Sequence, residues 1–136
     1  MDENSFKQRT KQLALRFIEI VDALPKNRTA DVIGRQLMRS GTSIGANYRA
    51  ACRGKSTADV IAKLRIVEEE ADESAYWMEL LIESRLLPEA RLSELMRETN
   101  EIIAMTVASI RTLQKRDRGS ASIGNLKSKI ENRRGR

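Results

Sequence analysis

The chain has 136 residues, 40% hydrophobic and 32% charged, with 25 Lys and Arg against 19 Asp and Glu, for a net charge of +6. That balance fits one soluble, helix-rich domain with a polyanionic partner, and the single cysteine excludes an internal disulfide or a CxxC metal pair. No histidine is present, so the commonest general base and metal ligand are both missing; with no GxxxxGK[ST], GxGxxG or GxSxG pattern either, the sequence offers no catalytic residues, no metal site and no cofactor, and an enzyme is the least expected reading.

The elements follow in chain order. Phe6, Leu13, Phe17, Ile20 and Leu24 fall on a helical repeat across residues 5–24, with Thr10 filling the missing step, and Pro25 stops that helix. Thr29 is a fair N-cap for a second helix, and Gly54 suits the left-handed position that ends it. Ser56-Thr57-Ala58-Asp59 resembles a capping box with Asp in place of Glu. Val60, Leu64, Val67, Ala71, Ser74, Met78 and Leu81 then step as a sustained heptad. Pro88 opens a fourth helix whose inward stripe is read as Leu92, Met96, Thr99, Ile103, Thr106, Ile110 and Leu113. The fold class is therefore all-α, an antiparallel up-down-up-down four-helix bundle over residues 1–116. Residues 117–136 read as a Gly/Ser linker and a basic, flexible C-terminal tail. No apolar run approaches the roughly 18 residues of a membrane span, and MDENSFKQRTKQ lacks the apolar core of a signal peptide, so a cytoplasmic protein with no membrane contact is expected.

The second helix carries the most information. At about 100° per residue, Ile33, Leu37, Ser40, Ile44 and Ala51 share a core face. Arg28, Arg35, Arg39, Arg49 and Arg53 gather within roughly 80° of one another on the opposite face. Such a stripe is a solvated face, a set of ion pairs to acids of the third helix or another subunit, or a phosphate-binding surface, because guanidinium forks match phosphate oxygens. The expected nucleic-acid contacts are Arg35, Arg39, Arg49, Arg53 and Lys55, joined by Arg133 and Arg134 of the tail. Gly34, Gly41, Gly45 and Cys52 form a third stripe on one flank of the apolar one. Each glycine costs up to about 1 kcal/mol in a helix interior, so close approach of another backbone is expected, inside the bundle or in another subunit. With Tyr76, an anchor roughly opposite the heptad face, these glycines are the candidate oligomer interface. Ser43, Asn47, Glu70, Glu73 and Trp77 form a candidate structural polar cluster, in which a carboxylate accepts from Asn47, a Ser hydroxyl or an Arg and fixes helix register. Cys52 reads as a small packing residue.

The run RQLMRSGTSIGANYRAACRGKSTADVIAKLRIVEEEADESAYWMELL resembles the four helix bundle protein family, whose founding members are encoded in intervening sequences of bacterial large-subunit ribosomal RNA genes. Ser43, Ile44, Ala46 and Asn47 match its S-I-x-A-N motif, Arg53 to Ser56 match its basic turn, and Lys63 to Met78 match its K-L-x-I-A-x-x-E-A-x-E-T-x-Y-W-L stretch. Val67, Ser74 and Met78 depart from the usual Ala, Thr and Leu. The resemblance covers about residues 5–116 and implies a homopentameric bundle. It extends more distantly to the accessory variability protein of diversity-generating retroelements, which implies RNA or DNA and a reverse transcriptase as partners. Two functions follow: a non-catalytic, homo-oligomeric nucleic-acid-binding accessory or scaffold protein, for structured RNA, or a protein–protein assembly module whose arginine and glycine faces are used in subunit contacts.

Overall fold

Pro25, Gly54 and Pro88 divide the chain into four helices: α1 (Glu3–Asp22), α2 (Arg28–Cys52), α3 (Thr57–Glu83) and α4 (Glu89–Arg134). The computed structural model describes residues 2–134, with side chains through Gly119. Each start has a chemical cause. Asp2 caps α1 by accepting from the Ser5 amide at 2.7 Å. Asn27 caps α2 by accepting from the Ala30 amide at 2.8 Å. The N-cap is thus Asn27 and not Thr29; Asn caps at least as well as Thr, so the helix begins as soon as the chain clears Pro25. Ser56 caps α3 through the Asp59 amide at 3.1 Å, as expected. Asp59 reaches back to the Lys55 amide at 3.4 Å, one residue before the cap.

The helix ends hold two surprises. Gly54 does not adopt a positive φ. It is small because α3 starts on top of it: a Cβ there would lie 2.6 Å from Val60 Cγ2. The left-handed residue is Arg85, with φ of 62°. The Arg85 amide donates to the Ile82 carbonyl and the Leu86 amide to the Leu81 carbonyl, both at 3.0 Å, so α3 closes in a Schellman motif with arginine at the glycine position.

The helices pack α1 on α2, α2 on α3 and α3 on α4, with α1 against α4 the thinnest layer. Phe6 sits 4.4 Å from Tyr48 between ring centroids while Leu24 faces Gly34, and Ser40 bonds Ser74 while Ala51 packs with Leu64, so α1, α2 and α3 run antiparallel in turn. The core is a stack of Phe6, Leu13, Phe17, Leu37, Ile44, Val67, Met78, Leu81, Leu92, Leu95 and Ile102. On α4 the fully buried stripe is Leu92, Leu95, Thr99, Ile102 and Thr106, while Met96 and Ile103 are only half-buried flanks. The expected α4 phase is corrected accordingly. Both phases share Leu92, Thr99, Thr106 and Ile110, and only the neighbouring helices choose the centre of so wide an apolar stripe. The buried threonines hydrogen-bond to carbonyls of their own helices, as Thr106 does to Ile102 at 2.7 Å. Among the described residues no buried side-chain N or O lacks a partner. The thin α1–α4 seam is closed by Arg9, within 2.9 Å of Glu98 and 3.1 Å of Glu101, and by Arg16 near Glu94.

The backbone stays helical through residues 117–125, where the sequence predicts a linker. Gly119 and Gly124 are isolated helix glycines, each tolerated at a cost of about 1 kcal/mol, and there is no proline after Pro88. Leu113 is the last described residue of α4 packed against the core, and residues 115–119 are exposed.

Candidate nucleic-acid interface

The arginine stripe of α2 does not form one surface. Arg35 and Arg39 are spent on ion pairs within the chain, while Arg28, exposed at the start of α2, makes none among the described residues. Arg35 meets Asp31, one turn back, at 2.9 Å. Arg39 crosses to α3, where Nη1 donates to Glu70 at 3.1 Å and Nη2 to Glu73. The Glu73 bond raises the Arg39 guanidinium above its ordinary value and holds the Glu73 carboxyl below its own. Glu73 also accepts from the Trp77 indole at 3.2 Å. Of the donors expected for these carboxylates, the arginine is the one that engages. Asn47 donates instead to the Ser43 carbonyl at 2.9 Å, and Ser43 donates to the Arg39 carbonyl at 2.6 Å. Beneath this layer Ser74 and Ser40 share a fully buried hydroxyl bond of 2.8 Å between α3 and α2. The polar cluster therefore couples α2 to α3 through Arg39–Glu70–Glu73–Trp77 above and Ser40–Ser74 below, with Ser43 and Asn47 bonding only within α2.

The glycine stripe is occupied by α1 of the same chain. A Cβ at Gly41 would collide with the Phe17 ring, one at Gly45 would sit 3.2 Å from Thr10 Oγ1, and one at Gly34 would sit 3.0 Å from Leu24. All three are buried. Gly34, Gly41 and Gly45 are removed from the expected oligomer interface, because the close approach they permit is that of α1 to α2. Tyr76 is different. It is 53% exposed, its ring edge-on to Trp77 with centroids 5.3 Å apart, and it remains available to a partner.

Arg49, Arg53 and Lys55 are exposed, and none makes an ion pair among the described residues. They lie where the antiparallel packing gathers the start of α1, the end of α2, the start of α3 and the far part of α4. With the α4 boundary drawn so that Glu98 and Glu101 stay beside Arg9, residues 1–11, 46–66 and 98–119 together hold twelve Lys or Arg against six acids. The rest of the bundle, residues 12–45 and 67–97, holds eight against twelve. The bundle is thus a charge dipole, +6 at one end and −4 over the remainder. Lys11, Lys63, Arg65, Arg111, Lys115, Arg116 and Arg118 belong to this basic end, all exposed. Sequence reasoning counted Arg118 with the basic tail and missed the others; pairing the helix ends of an up-down-up-down bundle would have found them. Arg133 and Arg134 lie outside the residues whose side chains are described.

Cys52 sits at this end against Glu3 and Tyr48. Burial and then the Glu3 carboxylate push its thiol up, so it is no activated nucleophile. Among the described residues no three Asp, Glu, Cys or His side chains converge as metal ligands would. No helix of the described residues is long and apolar enough to cross a membrane.

A family model for "23S rRNA-intervening sequence protein" matches residues 2–108. A crystal structure of a protein of unknown function from the S23 ribosomal protein family of Bacteroides thetaiotaomicron superposes with a TM-score of 0.76 at 34% identity, covering 82% of this chain and 99% of that one. The comparison with curated proteins returned no match.

Proposed function

The chain belongs to the family of 23S rRNA-intervening sequence proteins, and from that premise we propose that it is a non-catalytic, homo-oligomeric module that binds structured RNA through the basic end of its bundle. The observation that carries this reading is the charge dipole. Exposed, unpaired cations from all four helices converge on one end, where a polyphosphate would release counterions on binding. No exposed aromatic ring accompanies them: Tyr48 packs on Phe6, and Tyr76 and Trp77 lie in the acidic part of the bundle. Contact through phosphates and duplex shape, with little base readout, is the chemistry such a surface supplies. Repetition around an oligomer would add avidity. The competing assembly reading loses support, since the glycines and Arg39 are engaged inside one chain; of the expected interface residues, Tyr76 is the one left exposed for subunit contact. A reverse-transcriptase partner rests on the more distant resemblance alone, and the binding test does not depend on it.

The test is fluorescence anisotropy with a labelled RNA hairpin over a salt series. Affinity should fall steeply with salt, each duplex phosphate contact adding roughly 0.9 to the log–log slope. Charge reversal at Arg49 and Arg53 together should remove most binding and leave the oligomer intact by light scattering. Reversal at Arg35 and Arg39, which are already paired, should cost far less. No binding at low salt, or a stable monomer at micromolar concentration, overturns the corresponding half of the proposal.

A further inference from the structure

The basic end carries a groove between α1 and α2, a cavity of about 330 Å³ lined by Lys7, Lys11 and Arg49 with Thr10, Ala14, Thr42, Gly45 and Ala46. Among the five described grooves it alone presents cations and no carboxylate. The groove at the α1–α2 turn includes Asp22 and Asp31, the α1–α4 groove includes Glu98, and both α3–α4 grooves are rich in acids. Three features make it a seat for an anion. Lys7 is tied to Glu3 at 3.1 Å, so Lys11 on one wall and Arg49 on the other carry uncompensated charge. The floor is low, because Gly45 lets α2 approach Thr10 and the neighbours on either wall are Ala14 and Ala46. Backbone amides of helix interiors are already bonded, so any donors must come from side chains.

We infer that this groove holds a backbone phosphate of the bound polynucleotide, with the Arg49 fork and the Lys11 ammonium sharing its two non-bridging oxygens. This deepens the reading of the basic end as an RNA-binding surface and rests on it. Arg supplies the directional contact and Lys a point charge, which suits a phosphodiester with two non-bridging oxygens. A seated phosphate gives the end a fixed register for the strand, which diffuse attraction does not.

The experiment separates a seat from a diffuse field. The probe is a labelled RNA duplex, and the protein is the full chain. Ala46→Leu fills the groove without changing charge and should weaken binding about fivefold or more. Lys11→Ala and Arg49→Ala should each cost about five- to tenfold, more than Lys26→Ala at the far end, and should cost little further on the Ala46→Leu background. Ala14→Leu plugs the groove from the other wall and guards against misfolding of one variant, with circular dichroism as the check. Inorganic phosphate should displace the RNA no better than chloride of equal ionic strength. Wild-type affinity in both plugged variants, with Lys11→Ala and Arg49→Ala no worse than Lys26→Ala, overturns the groove while leaving the basic end intact as a reading. Displacement by inorganic phosphate well beyond chloride makes the occupant a free phosphate and overturns the assignment to a backbone. Absence of binding by the wild-type protein itself overturns the parent reading, and the groove with it.

Discussion

Gly41→Ala tests the packing that organises the bundle. On an exposed helix this change is favourable by up to about 1 kcal/mol, since glycine has the greater backbone freedom to lose. Here the added methyl would enter the Phe17 ring: Cγ lies 2.7 Å and Cβ 3.1 Å from the position the new carbon must take. Phe17 is fully buried, so its ring cannot swing into solvent, and α1 must shift or the ring must leave its rotamer. Such overpacking costs typically about 1–3 kcal/mol. The net effect is a loss of about 1–2 kcal/mol, or roughly 5 °C in the melting midpoint for a chain of this length. Gly45→Ala is the internal comparison. Its methyl would meet Thr10 at 3.2 Å, a contact that a few tenths of an ångström relieve, so the propensity gain offsets it and the midpoint should hardly move. Both are read by thermal melts followed at 222 nm at two protein concentrations well apart. Because the clash lies within one chain, the Gly41→Ala shift should not depend on concentration. A raised midpoint, or a shift that grows on dilution, would place the glycine face against another subunit and refute the reasoning.

Trp77 is the only tryptophan, and its indole bonds the Glu73 carboxylate, so its fluorescence should report the protonation of that group. The hydrogen bond from Arg39 holds Glu73 below the ordinary 4.5, with burial opposing and the indole assisting. A depressed folded value means that the pair contributes stability above the unfolded carboxyl range and loses it as pH falls through the folded value. The emission should therefore titrate below pH 4.5, Glu73→Gln should abolish the step, and Arg39→Ala should move it upward; a step at or above the ordinary value in the wild type refutes the pairing. Arg85→Gly should raise the melting midpoint by about 3 °C, since a left-handed arginine costs about 1 kcal/mol and its side chain is exposed. A lowered midpoint would mean that the arginine side chain contributes more than its backbone costs.

The sequence by itself determined the helices and most of their inward faces. Phe6, Leu13 and Phe17 on α1, Ile33, Leu37 and Ile44 on α2, and Val67, Met78 and Leu81 on α3 are buried where a 3.6-residue period puts them, because a helix with one apolar stripe can hide it in only one direction. Ser74 and Ser40 are both legible as inward-facing, but their bond to each other is not, since a hydroxyl pair is a property of two helices in register. What only the tertiary structure decided concerns which neighbour each remaining face meets. The glycines of α2 face α1 because Phe17 fills the space they leave. Arg39 is drawn to Glu70 and Glu73 because α3 runs antiparallel beside it, while Arg49 and Arg53, three to four turns further on, meet no acid among the described residues. The tail drew attention as the basic part of the chain, yet the bundle itself is strongly polar in charge. Charges that nearly cancel along the sequence are sorted in space, because antiparallel helices bring the two ends of the first hairpin, the start of α3 and the far part of α4 to one end, and no one-dimensional sum can see that.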